Sequence, residues 1–163
     1  DRDGALRRMA SALKKSGRTP YVIPSGGSNA TGALGYVACA EELEAQADTD
    51  GERIDYLVHA TGSGGTQAGL IAGFQAIASQ TGVLGVDITA HAADLRGKVS
   101  AIAKDTLARL GGGDRFSKDA LQIVEGYAGG AYGMPTEEMR AAVRLVARLE
   151  GLILDPVSRD WKG

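Results

Sequence analysis

The chain has 163 residues, 44% hydrophobic and 23% charged, with a net charge of -2, enough for one domain with a core or most of one. Mixed, mildly acidic charge and 5% aromatic residues provide neither the basic stripe nor the stacking platforms that nucleic acid needs. The apolar runs are too short to cross a bilayer, Asp1-Arg2-Asp3-Gly4-Ala5-Leu6 lacks the basic-then-apolar order of a secretory signal, and one cysteine, Cys39, forbids an internal disulfide, so a soluble cytoplasmic protein is expected.

Leu6, Met9, Ala10 and Leu13 recur at helical spacing before Gly17, which predicts an amphipathic helix over 3–16. Tyr21-Val22-Ile23-Pro24 reads as a short strand and Ser25-Gly26-Gly27-Ser28-Asn29 as a loop. A helix is expected over 33–47, with Glu41, Glu42 and Glu44 toward solvent and Cys39 as a buried small hydrophobe. Residues 54–60 read as a strand apolar enough for the centre of a parallel sheet, with His59 a neutral, hydrogen-bonded core residue. A helix over 66–79 turns Leu70, Ile71, Phe74 and Ile77 inward, and a strand over 83–88 follows, with Asp87 capping the next turn. A helix over 95–110, a strand over 122–124 and a helix over 136–150, opened by Pro135 and an acidic first turn, complete the chain.

This alternation predicts an α/β fold: a doubly wound, mostly parallel sheet with flanking helices and ligands at the carboxyl ends of the strands. Neither histidine, His59 or His91, has a companion at metal-ligand spacing, so no metal is expected.

The 24 glycines cluster beside apolar segments, and the cluster within Ala60-Thr61-Gly62-Ser63-Gly64-Gly65-Thr66-Gln67-Ala68-Gly69 follows a strand and opens a helix. Without Cβ atoms at Gly62, Gly64 and Gly65 the backbone can take positive φ and approach an anion. The first N–H groups of the helix have no internal partners, and Ser63 and Thr66 add hydroxyl donors. The spacing is neither Walker A nor GxGxxG, so a phosphate group is expected here but not a P-loop nucleotide. Tyr132, among glycines and just before a helix start, is placed to line a cleft.

Four motifs then carry a resemblance: 20–29 (Pro-Tyr-Val-Ile-Pro-Ser-Gly-Gly-Ser-Asn) with Gly32-Ala33-Leu34-Gly35-Tyr36, the 60–69 loop, Tyr132-Gly133-Met134-Pro135-Thr136, and Ala147-Arg148-Leu149-Glu150-Gly151 with Leu154-Asp155-Pro156-Val157. Over residues 1–157 the chain resembles the D-cysteine desulfhydrase and 1-aminocyclopropane-1-carboxylate deaminase family, pyridoxal-phosphate enzymes of the tryptophan-synthase-β-like fold. The Gly-Gly-Ser-Asn and Ser-Gly-Gly-Thr forms look more like the desulfhydrase branch. The resemblance implies pyridoxal 5'-phosphate as cofactor, with Gly62, Ser63, Gly64, Gly65 and Thr66 on its phosphate, Gly26 and Gly27 beside its ring, and Tyr132 as an active-site tyrosine near a small amino-acid substrate.

It also implies a homodimer and an α,β-elimination that yields pyruvate, ammonia and sulfide, with cysteate sulfo-lyase or 1-aminocyclopropane-1-carboxylate deaminase activity as alternatives. Two departures stand out. The family's second tyrosine follows Asp-Pro-Val, where this chain has Ser158 and a divergent tail over 158–163. The Schiff-base lysine of the family sits in an Asn-Lys motif that none of Lys14, Lys15, Lys98, Lys104, Lys118 and Lys162 occupies. The expectation is therefore the cofactor-domain portion of such an enzyme, a fragment inactive alone, or else a non-catalytic remnant that keeps its phosphate loop.

Overall fold

Parallel pairing organises the chain: in the computed structural model, which describes residues 2–89, 92–129 and 134–155, three strands lie in the order β1-β2-β3. They are β1 (Tyr56–Thr61), β2 (Gly82–Asp87) and β3 (Gln122–Val124). The helices are α1 (Arg2–Lys15), α2 (Ala30–Asp50), α3 (Gly65–Ala76), α4 (Ala92–Arg109) and α5 (Glu137–Glu150). The register sets Leu57 beside Val83, His59 beside Gly85 and Thr61 beside Asp87, while Gly85 lies beside Ile123. Helices α3 and α4 are the crossovers that parallel strands require, which gives the α/β architecture expected from the alternation.

The strands are two-faced. Leu57, His59 and Thr61 turn toward the helices, whereas Tyr56 and Val58 on the other face are each 60% exposed. Leu70, Ile71 and Phe74 of α3 pack with Val83, Ile123 and the α4 residues Leu95, Val99 and Ala103. Each large side chain buried there contributes roughly 1.5 to 3 kcal/mol. Cys39 is half-buried against this core.

A second seam is made of small residues. A Cβ on Gly69 would collide with the carbonyl of Ala33 and lie 2.6 Å from Tyr36 Cβ, and one on Gly73 would lie 2.7 Å from Ala40 Cβ. Two glycines four residues apart thus let α3 lie against α2 backbone to backbone, and Gly69 belongs to this contact instead of to the loop.

Several expectations change. Tyr21-Val22-Ile23-Pro24 is irregular and exposed, with Tyr21 at 73% and Ile23 at 66%, because among the described residues no strand lies beside it, and Pro24 brings no N–H to a ladder. Strand β1 is at the edge, not the centre, of the described sheet. Ile77 is 40% exposed, since α3 ends at Ala76. Glu44, expected toward solvent, is half-buried and accepts from the Ser79 and Thr81 hydroxyls, whereas two local signals act as read: the Thr136 hydroxyl accepts from Met139 N at 3.2 Å to start α5, and Asp87 Oδ1 accepts from Thr89 N at 2.7 Å to close the turn after β2.

Candidate functional site

Two helix starts meet beyond the carboxyl end of β1. At the first, Ser25–Gly27 forms a short 3-10 turn with Gly26 at φ 68 and Gly27 at φ 63. Asn29 then caps α2, its Oδ1 accepting from Gly32 N at 2.8 Å. At the second, Gly62 and Ser63 leave β1 and Gly64, at φ 86, turns the chain into α3. Of the three glycines expected to exploit positive φ in this loop, Gly64 alone does so. Gly65 serves close approach instead, since a Cβ there would lie 2.7 Å from Ser28 Oγ. Gly62 lies beside Ile88 without a left-handed backbone.

The two loops are joined directly. Ser28 Oγ donates to Ser63 Oγ at 2.7 Å, and a Cβ on Gly26 would lie 2.5 Å from Ser63 Oγ. The structure thus brings together Gly26, Gly27, Gly62, Ser63, Gly64, Gly65 and Thr66, the sequence-predicted residues that it describes. Tyr132 lies outside the described residues, as does the tail from Pro156. Ser28 is the contributor that reasoning about glycines passed over; its place between Gly27 and the capping Asn29 was the available signal.

Chemically, this arrangement can receive an anion. The N–H groups of Gly65, Thr66 and Gln67 open α3 without intrahelical partners; Ser63 is exposed, Thr66 half-buried, and Gly64 and Gly65 buried. The positive end of the α3 dipole points the same way. A phosphate monoester fits these donors, and the left-handed Gly64 and Cβ-free Gly65 leave its approach clear.

Beneath the loop the face of β1 turns polar. His59 Nδ1 lies 2.9 Å from Ala60 O, and burial lowers the pKa of its ring below the ordinary 6.5, the bond to Ala60 opposing. Gln67, fully buried, donates from Nε2 to Gln122 O at 2.7 Å. Across α4, Arg96 donates to Ile123 O at 2.7 Å. Among the described residues no three His, Cys, Asp or Glu side chains group as metal ligands, and no helix is long and apolar enough to cross a membrane.

A parallel α/β unit with paired glycine-rich helix starts at the carboxyl end of its strands defines a class of phosphate-holding proteins. Within that class, a family model described as pyridoxal-phosphate dependent enzyme matches residues 1–159, and the chain belongs to this family. A 1-aminocyclopropane-1-carboxylate deaminase of Mesorhizobium japonicum is 42% identical over 146 residues, 89% of this chain and 43% of the relative. A D-cysteine desulfhydrase of Yersinia pestis is 41% identical over 157 residues, 96% of this chain and 47% of the relative. A crystal structure described as an ACC deaminase homologue superposes with a TM-score of 0.81 at 34% identity, covering 93% of this chain and 44% of that one. The chain thus spans about half the length of the curated relatives it matches.

Proposed function

We propose that this chain is the cofactor-domain portion of a pyridoxal-phosphate-dependent lyase of the D-cysteine desulfhydrase type, acting on a small amino acid by α,β-elimination to pyruvate, ammonia and sulfide. The observation that carries it is the Ser28–Ser63 hydrogen bond, which fastens one glycine loop to the other at the start of α3. In this reading Ser63 and Thr66 donate hydroxyls and Gly64, Gly65 and Thr66 donate backbone N–H groups to the phosphate. Gly26 and Gly27 pass beside the cofactor ring, and Tyr132 contacts substrate. The cofactor, when bound, supplies an electron sink for charge developing at the substrate's Cα. The similarity to deaminases, equal in degree to that to desulfhydrases, supports 1-aminocyclopropane-1-carboxylate deamination as a second reading. A cytoplasmic homodimer completes the proposal.

Titration of the 15N-labelled chain with inorganic phosphate and then pyridoxal phosphate tests the cradle. The amides of Gly64, Gly65 and Thr66 are expected to move most. Shifts concentrated instead on α1 would show that the cradle assignment is wrong.

A further inference from the structure

Three buried polar atoms beneath the loop have no hydrogen-bond partner among the described residues: His59 Nε2, Thr61 Oγ1 and Gln67 Oε1. Thr61 is 2% exposed and Gln67 fully buried. Leaving a polar atom unpaired at such depth costs about 1 to 3 kcal/mol.

The three are neighbours. His59 and Thr61 alternate with the outward Val58 and Ala60 and so share the helix-covered face of β1, about 7 Å apart along the strand. His59 is registered beside Gly85. A Cβ on Gly85 would collide with Gln67 Oε1 and lie 2.7 Å from both Cδ and Nε2, so the amide rests on that glycine. Its Nε2 reaches toward β3 to bond Gln122 O, which leaves Oε1 on the side of β1, whose His59 backbone runs about 5 Å from Gly85. One molecule making two bonds of about 2.8 Å bridges such a gap.

The donors and acceptors settle which molecule. Ala60 O only accepts, so the His59 proton sits on Nδ1 and leaves Nε2 an acceptor. Gln67 Oε1 is also an acceptor, because its Nε2 is the end that donates to a carbonyl. The remaining group, the Thr61 hydroxyl, is free to donate. Two acceptors and one donor match one water, which gives two protons and receives one. Burial disfavours the charged imidazolium, which would put a second donor in place of an acceptor.

We propose that His59 Nε2, Thr61 Oγ1 and Gln67 Oε1 enclose a bound water that ties the first turn of α3 to β1. The Gln67–Gln122 bond already ties that turn to β3, so the water completes a polar brace across all three strands directly under the loop. Gln67 is then a positioning residue: it orients the N–H groups of Gly65 and Thr66 without itself reaching a ligand.

The test needs no cofactor. In the 15N-labelled chain the His59 ring should show the Nδ1–H tautomer, and a long-lived water should give cross-relaxation peaks to the Gln67 side-chain amide and the Thr61 methyl. Thr61→Val keeps shape and strand preference while removing the donor; it should weaken those peaks and shift the His59 Nε2 resonance while the fold is retained. Gln67→Met should abolish the peaks. An Nε2–H tautomer, absence of the water peaks in the folded wild type, or a His59 Nε2 resonance unmoved by Thr61→Val would each overturn the proposal. Because Thr61→Val is nearly isosteric, misfolding of Gln67→Met would leave the decision intact.

Discussion

Gly69 of α3 lies so close to Ala33 of α2 that no side chain fits between them. That contact sets the two helix starts, and so the two glycine loops, side by side. Gly69→Ala should therefore destabilise the chain by about 1 to 3 kcal/mol, the usual cost of overpacking. Gly97, in α4, faces open space, so Gly97→Ala should stabilise by roughly 0.5 to 1 kcal/mol. Urea unfolding of both variants checks the pair, and equal effects would contradict the seam.

Ser63 is exposed, and among the described residues its hydroxyl is hydrogen-bonded to another loop hydroxyl, that of Ser28. Ser63→Ala should leave stability within about 0.5 kcal/mol. If the hydroxyl donates to phosphate, its loss weakens phosphate binding by about 1.5 to 3 kcal/mol. Calorimetric titration with phosphate reads both the affinity and the enthalpy, and wild-type affinity in the variant would remove Ser63 from the cradle.

The pH dependence follows from His59 and Glu44. Burial lowers the folded pKa of His59 below 6.5, so below that pH the unfolded chain binds the proton first, and stability falls as the solution is acidified. The contribution is complete above about pH 6.5. Glu44 is held below its ordinary 4.5 by the Ser79 hydroxyl and then by that of Thr81. Its contribution is present above about that pH and lost below it. Denaturation midpoints should thus decline in two windows, and His59→Gln should flatten the upper one; an unchanged upper decline would assign it to another group.

Period and punctuation made the order of helices and strands legible, because amphipathic spacing, the Thr136 cap and the Asp87 turn are local. What escaped was tertiary. Tyr21-Val22-Ile23 has strand composition, yet a strand needs a neighbour, and none lies beside it among the described residues. Gly64, Gly65 and Gly69 look alike in sequence but do three different things: a left-handed turn, close approach to Ser28, and a helix contact. The Gln67 brace was equally hidden, since it depends on Gly85 of another strand.

The chain alone, supplied with pyridoxal phosphate, should not turn over D-cysteine or 1-aminocyclopropane-1-carboxylate. Elimination needs a lysine to hold the cofactor covalently and to move a proton at the substrate's Cα, and such positioning supplies several kcal/mol of barrier reduction, within the roughly 7 to 11 kcal/mol that orientation can provide. Lys14 and Lys15 are exposed at the end of α1, and Lys98 and Lys104 are exposed on α4, with Lys104 Nζ 5.4 Å above the Phe116 ring. Lys118 is exposed in the turn before β3, and Lys162 lies outside the described residues. None of the described five is buried. Free pyridoxal phosphate catalyses slow amino-acid chemistry by itself, so the rate that counts is pyruvate or sulfide release above a cofactor-only control. A protein-dependent rate, with borohydride fixing the cofactor to one lysine in the peptide map, would show that the chain carries its own catalytic lysine.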